Sequence, residues 1–217
     1  MTDTTKCIGG SGLLDYIPAN EHEKALRAIQ VSSRAFCKDE TIYAAEDMID
    51  SICMIVEGSV RSEKTYADGE THLVSIFERN AVFGLEFAMS RTRTTPVDFI
   101  TNEQSQILFV KYASIRESIY WEPMRRALVE QLADEVVRKS NKIEILAEHG
   151  IRDRVLVYLN ILAQKSGSDE VVLSMNREQL AQFLCVNRSS LSNELSKMQE
   201  EGLIEFRKNR FKLLRTL

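Results

Sequence analysis

The chain has 217 residues, 44% of them hydrophobic and 28% charged, with a formal net charge of −4. That size holds one large domain or two modest ones, and the composition is ordinary for a soluble globular protein. A disulfide scaffold is excluded, because the four cysteines (Cys7, Cys37, Cys53 and Cys185) are scattered without CxxC spacing. A membrane-spanning helix is excluded as well, because no apolar run reaches about 18 residues.

Charge is unevenly spread. Residues 152–217 hold 11 Lys/Arg against 8 Asp/Glu, a net of +3, whereas residues 1–151 hold 17 against 24, a net of −7. From Phe206 to Leu217 there are five basic residues and no acidic one. Such asymmetry suits a body that repels polyanions and a tail that meets them. Met1 to Ser11 has one lysine and no apolar core, so it does not read as a secretory signal. The expected compartment is the cytoplasm, with the thiols reduced.

The only glycine-rich stretch, Gly9-Gly10-Ser11-Gly12, has no strand before it and is predicted to be a flexible N-terminus, not a phosphate loop. From about Lys38 to Tyr112 the residues predict short strands separated by turns. Ser51 to Val56 is apolar and partly β-branched, and Glu57-Gly58 ends it. Ser59 to Tyr66 alternates loosely up to Asp68-Gly69, a hairpin signal because glycine tolerates positive φ. Thr71 to Phe77 leads to a turn at Arg79-Asn80, and Gln106 to Val110 closes the series. Strands at this spacing suggest a sandwich or β-roll, not a parallel sheet.

A long helix is predicted from roughly Glu122 to His149. Written as heptads, its a positions are Val129, Val136 and Ile143, and its d positions are Leu132, Lys139 and Leu146. Apolar a and d residues with charged flanks are what a two-helix seam requires. Gly150 is predicted to break the helix and mark the hinge between two halves. Beyond it, Val155 to Leu162 reads as a buried helix and Val171 to Leu173 as a short strand. Asn176 can cap a helix carrying Leu180, Phe183 and Leu184. A second helix over Arg188 to Met198 has Leu191, Leu195 and Met198 inside and ends at Gly202. Leu203 to Leu214 is a basic hairpin with Lys208-Asn209 at its tip. Helix, turn, helix and hairpin make a winged helix-turn-helix.

The segment Met175 to Ile204, MNREQLAQFLCVNRSSLSNELSKMQEEGLI, resembles the winged helix-turn-helix of the CRP/FNR transcription regulators. The β-region is similar to the β-roll of that family, with Gly58, Gly69 and Gly84 at matching turns, and Met124 to Gly150 resembles its dimerisation helix. The resemblance therefore implies an α+β fold: an N-terminal double-stranded, jelly-roll-like β-roll, a long dimerisation helix over about 116–149, and a C-terminal winged helix-turn-helix. The domains are expected at 1–149, for effector sensing, and 150–217, for DNA binding.

The resemblance implies a homodimer on double-stranded DNA, regulated by a small effector and working with RNA polymerase, with no membrane role, no enzymatic activity and no cofactor. It places Asn176 and Arg177 at phosphates and Arg188, Ser189, Ser192 and Asn193 on the DNA-facing positions of the recognition helix. Ser190, Lys197 and Lys208 complete the set. Positions 188, 189, 192 and 193 also form one stripe opposite Leu191 and Leu195. Much of the family has arginine where Asn193 stands. Arginine reads guanine bidentately and asparagine suits adenine, so the usual operator is not assumed. Dimerisation is expected through Val129, Leu132, Val136, Ile143 and Leu146.

In the sensor, Gly84, Glu86, Thr94, Thr95, Lys139 and Ser140 align with effector-binding positions. The arginine that clamps a cyclic phosphate in cyclic-AMP binders is absent: Thr94-Thr95-Pro96 stands in its place, with Arg91 and Arg93 out of register. Cys7 stands alone, which argues against an N-terminal iron–sulfur cluster. His22, His72 and His149 offer no pairing that argues for haem. Two other classes compete. A cupin-like metalloenzyme would need several histidines converging on one ion, and His72 is alone in the strand region. A redox regulator could use Cys37, Cys53 or Cys185, the last lying just before the recognition helix, but no neighbouring cysteine could resolve an oxidised thiol.

Overall fold

The computed structural model describes residues 8–214, so Cys7 and Arg215 lie outside the described residues. The chain divides into two compact units, one running up to Glu70 and from Val74 to Glu135, the other made of Thr71–Leu73 and the chain from Val136 onward. Among the described residues no helix is long and apolar enough to cross a membrane.

In the first unit the strands are β1 (Val31–Phe36), β2 (Thr41–Tyr43), β3 (Ser51–Glu57), β4 (Val60–Thr65), β5 (Thr71–Phe77), β6 (Val82–Phe83), β7 (Asp98–Thr101) and β8 (Ser105–Lys111). The first three residues of β5 group with the second unit. The strands form two four-stranded sheets, ordered β1-β8-β3-β6 and β2-β7-β4-β5. This is the double-sheeted roll expected. Strand β3 is buried at every position from Ser51 to Val56, which explains its continuous apolar run: a strand covered on both faces has no reason to alternate. Phe83 of β6 and Phe99 of β7 stack across the two sheets with ring centroids 5.0 Å apart, and Phe77 packs 5.6 Å and 6.1 Å from them.

Three short helices, α1 (His22–Arg27), α2 (Leu85–Met89) and α3 (Tyr112–Glu117), decorate the roll, and α4 (Trp121–Ala147) leaves it. The expectation of a flexible start is corrected for the described part. Ile8, Leu13, Leu14 and Ile17 are buried in the core of the roll together with Met124 and Leu128 of α4. Gln131 of α4 also donates to the carbonyl of Ser11 at 3.0 Å. Four apolar side chains among the glycines outweigh the backbone freedom those glycines confer.

The second unit holds α5 (Ile151–Ser166), β9 (Glu170–Val172), α6 (Arg177–Phe183), α7 (Arg188–Glu200), β10 (Ile204–Arg207) and β11 (Arg210–Leu213). Its three strands pair antiparallel in the order β10-β11-β9. Leu156, Leu159, Leu180, Leu191, Leu195, Met198 and Phe211 lie in its interior. Gly150, in extended conformation, caps α5, its carbonyl accepting from Arg154 N at 3.1 Å. The division between units falls within α4, between Glu135 and Val136, and not at the 149/150 boundary expected. The last turns of α4 are anchored in the second unit. Ile145 is buried there, and Lys142 donates to the carbonyls of Leu73 and Phe183 while lying over the Phe183 ring. Burial pushes the Lys142 ammonium pKa down to about 7.

Gly58 and Gly69 both adopt positive φ, at 84° and 86°, but only Gly58 is crowded. A Cβ there would lie 2.7 Å from the Gln104 carbonyl oxygen and nearer still to Ser105 Oγ, whereas none would meet an atom within 4 Å at Gly69. Gly69→Ala is therefore expected to lose about 1–2 kcal/mol, the left-handed backbone penalty. Gly58→Ala should lose that and an overpacking cost of about 1–3 kcal/mol more. Urea unfolding at matched protein concentration measures both, and equal losses would contradict the packing described.

Candidate nucleic-acid interface

Helix α7 is positioned from three sides. Its inner face is fixed by Leu191, Leu195 and Met198, each at 0% exposure. At its start, Asn187 Oδ1 accepts from Ser189 N at 2.9 Å and from the Ser189 hydroxyl at 2.6 Å. Along its flank, Arg152 of α5 donates from Nε to Glu194 at 2.7 Å and from both Nη atoms to Glu201 at 2.7 Å and 2.9 Å. A guanidinium gripping one carboxylate with two donors adds directional hold as well as charge.

Helix α6 begins with a full capping box. Asn176 Oδ1 accepts from Gln179 N at 2.9 Å, and Gln179 Oε1 accepts from Asn176 N at 3.0 Å. The turn joining α6 to α7 passes through Cys185 at φ 52°. Arg154 Nη1 steadies this turn by donating to the carbonyls of Leu184 at 2.8 Å and Cys185 at 3.4 Å.

What remains outward is a polar stripe. Arg188, Ser189, Ser190, Asn193 and Lys197 are exposed, and Ser192 is half-buried. Arg188 lies 3.5 Å from Glu178, but both side chains are largely exposed, so this pair contributes little. Arg207, Lys208 and Arg210 are exposed around the hairpin tip, where Lys208 takes φ 57°. Asn176 is exposed with its carbonyl engaged in the cap. Arg177 is folded onto the hairpin: Nη2 donates to the Lys208 carbonyl at 3.2 Å, and the guanidinium carbon lies 5.0 Å and 5.5 Å from the Phe206 and Phe211 ring centroids.

Sequence reasoning did not single out Asn187, Arg152, Arg154 or Gln199, whose Oε1 accepts from Phe206 N at 3.1 Å. Asn187 carried a usable signal, an asparagine directly before a helix start. The two arginines carried none, since their partners lie far along the chain.

The residues aligned with an effector site are divided. Gly84, Glu86, Thr94 and Thr95 belong to the first unit, Lys139 and Ser140 to the second. Gly84, at φ 75°, begins α2, and Glu86 is half-buried beside it. Thr95 does not present its hydroxyl outward: it is buried, donates to the Val97 carbonyl at 2.9 Å and accepts from Val97 N at 3.2 Å. Thr94, Arg91 and Arg93 are exposed, as are Lys139 and Ser140 on α4.

On α4, Val129, Val136 and Ile143 are 51%, 62% and 70% exposed, and Val137, not anticipated, is 58% exposed. Leu132 differs from them, being half-buried against the core of the roll, and Leu146 is half-buried. Cys53 is fully buried and its thiol pKa is pushed up by desolvation, as suits an inert core residue. Cys185 is half-buried with Sγ 3.6 Å from His72 Nδ1, and Cys37 is exposed. Among the described residues no group of three or more His, Cys, Asp or Glu is placed to hold a metal ion.

Comparison with known proteins agrees with this geometry. Residues 33–119 match the model of the cyclic nucleotide-binding domain, and residues 153–216 match the Crp-like helix-turn-helix domain. The chain is 21% identical over 204 residues to the transcriptional regulatory protein btr of Bordetella pertussis, covering 91% of this chain and 83% of the relative. It is 25% identical over 190 residues to the nitrogen fixation regulation protein FixK of Azorhizobium caulinodans, covering 83% and 74%. The solved structure of a CooA mutant from Carboxydothermus hydrogenoformans shares the fold with a TM-score of 0.77 at 18% identity, covering 94% of this chain and 92% of that one. With a roll of the first kind followed by a helix-turn-helix of the second, this chain belongs to the CRP/FNR family of DNA-binding transcription regulators.

Proposed function

We propose that two copies of this chain pair along α4 and set their α7 helices into successive major grooves of a palindromic operator, under the control of a small effector other than cyclic AMP. The observation that carries this reading is the bare polar stripe of α7 opposite three fully buried apolar residues. Side chains near the start of such a helix reach base edges, while exposed backbone N–H groups favour phosphate. Arg188, Ser189, Ser192 and Asn193 are assigned to base edges and adjoining backbone. Ser190, Lys197, Lys208 and the exposed edge of Asn176 are assigned to phosphates. The protein works in the cytoplasm, recruits or blocks RNA polymerase from its operator, and turns over no substrate.

Pairing along α4 is supported by Val129, Val136 and Ile143, which repeat every seven residues and stand exposed on one chain. Burying them against a second copy removes apolar surface worth about 25 cal/mol per Å². Leu146 extends the seam, and Leu132 closes its base where the helix meets the roll. Lys139 and Ser140 fall on the same face between Val136 and Ile143, so an effector with an anionic group would meet Lys139 there. Cyclic AMP is disfavoured because Thr95 is committed to the Val97 backbone and no arginine occupies the clamp position.

Selection from a random DNA pool is expected to return a palindrome with half-sites about 34–36 Å apart, one helical turn. Asn193→Arg should change the preferred base at one position in each half-site, toward guanine. Unchanged selected sites would remove Asn193 from the groove. Val136→Glu places two like charges in the seam while leaving the exposed position tolerable in a single chain. It should convert a dimer to a monomer in sedimentation at micromolar concentration, a loss of several kcal/mol of association. A wild-type protein that is itself monomeric there would refute the pairing. Calorimetric titration with cyclic AMP should show nothing tighter than about millimolar, and micromolar binding that strengthens operator affinity would overturn that part.

A further inference from the structure

We infer that Arg177 is a positioning residue for the wing: it holds the Lys208 peptide, and with it the basic hairpin tip, in the attitude that meets a phosphate backbone. The inference rests on the reading that α7 and the hairpin face one duplex.

The geometry runs from α6 to the hairpin. Arg177 is the first residue of α6, and its guanidinium crosses to the Lys208 carbonyl at 3.2 Å. It lies against both Phe206 and Phe211, cross-strand partners whose rings are stacked with centroids 5.7 Å apart at 22°. A delocalised cation over aromatic faces at such distances is attracted by the ring quadrupoles. Arg177 Nη1 is buried and has no hydrogen-bond partner. Nη1 is closed off from solvent and one N–H of Nη2 is spent on the carbonyl, so the guanidinium is held against the hairpin.

Two features point to aim over mere folding. The hairpin has other anchors: Asn209 Nδ2 donates to the Leu173 carbonyl at 2.7 Å, Leu173 N donates to the Asn209 carbonyl at 2.8 Å, and Gln199 Oε1 accepts from Phe206 N. These hold β10 and the Asn209 side of the tip, whereas Arg177 holds the carbonyl of Lys208, the tip residue that keeps a left-handed conformation L residues adopt reluctantly. The second feature is charge. Arg177 sits behind three exposed cations, Arg207, Lys208 and Arg210, where a neutral residue would fill the space without repulsion. A cation there makes sense when the tip faces a polyanion, because its charge strengthens the local field without leaving the protein.

A double-mutant cycle on the full chain tests this, using the duplex that the wild-type protein selects from a random DNA pool. Affinity is measured against salt for wild type, Arg177→Ala, Lys208→Ala and the pair. Lys208→Ala alone is expected to weaken binding and to cut the salt slope by about one phosphate contact, roughly 0.9. In the Arg177→Ala background the same substitution should change neither affinity nor slope. Arg177→Lys should behave like Arg177→Ala, because an ammonium cannot reproduce a planar fork stacked on two rings. Phe206→Leu, which removes a ring and no charge, should abolish the Lys208 contribution as well, and it serves if Arg177→Ala unfolds the unit. Additive losses with Arg177→Lys near wild type would overturn the inference and make Arg177 a phosphate ligand. A fall in melting temperature with Lys208 still contributing fully would overturn it too, leaving a purely structural role. Wild-type protein that binds no duplex at any salt would instead bring down the DNA-contact reading on which the inference stands.

Discussion

The DNA-binding unit depends on one constraint, the burial of a single face of α7. Leu191, Leu195 and Met198 are fully removed from water, and a side chain of that kind gains about 1.5–3 kcal/mol on full burial. The surface pair of Arg188 and Glu178, at 3.5 Å in solvent, belongs to a class worth about 1 kcal/mol or less. The apolar face therefore sets the rotation of the helix, and the outward stripe follows from it. The Arg152 grip on Glu194 and Glu201 then fixes the helix along its axis. Readout of a base edge needs placement on the scale of a hydrogen bond, and a packed face with a bidentate clamp supplies it better than a surface ion pair could.

Much of this architecture was legible before any coordinates. The turns at Asp68-Gly69 and Arg79-Asn80, the strands β3, β5 and β8, both helix-turn-helix helices and the hairpin were readable, because turn residues and periodic apolar spacing are local signals. Strand β1 was not. Its Ser32, Ser33 and Arg34 are exposed, and as an edge strand pairing only with β8 it carries little apolar pattern to find. The start of the chain misled for a different reason. Its glycines advertise freedom, while the burial of Ile8, Leu13, Leu14 and Ile17 depends on a surface assembled from distant strands. The effector residues were the least legible. The family alignment pointed to Thr95, and only the folded loop shows its hydroxyl already bonded to Val97.

Helix α4 shows how far a repeat can be trusted. Heptad spacing identified its apolar face, and Val129, Val136 and Ile143 are the bare members of that face. The spacing says which side of a helix is apolar, not what covers it. Leu132, in the same register, is taken up by the roll of its own chain, and Val137, one step off the register, is exposed beside Val136. Successive residues turn by about 100°, so Leu132 lies about 60° round the helix from Val129, on the side of Leu128 that the roll covers, while Val129, Val136 and Ile143 stay bare.

Both helices of the helix-turn-helix are capped by asparagine, Asn176 on α6 and Asn187 on α7. Aspartate would satisfy the same backbone N–H groups and would also complement the positive end of each helix dipole, so it would make the isolated fold more stable. It would also place a fixed negative charge at the two helix ends that the proposed binding mode sets against DNA. In that mode the neutral amide keeps the cap geometry and leaves the partial positive charge of each helix end for the duplex. Selection for thermal stability alone would push these two positions toward aspartate, and selection for DNA affinity would push them back.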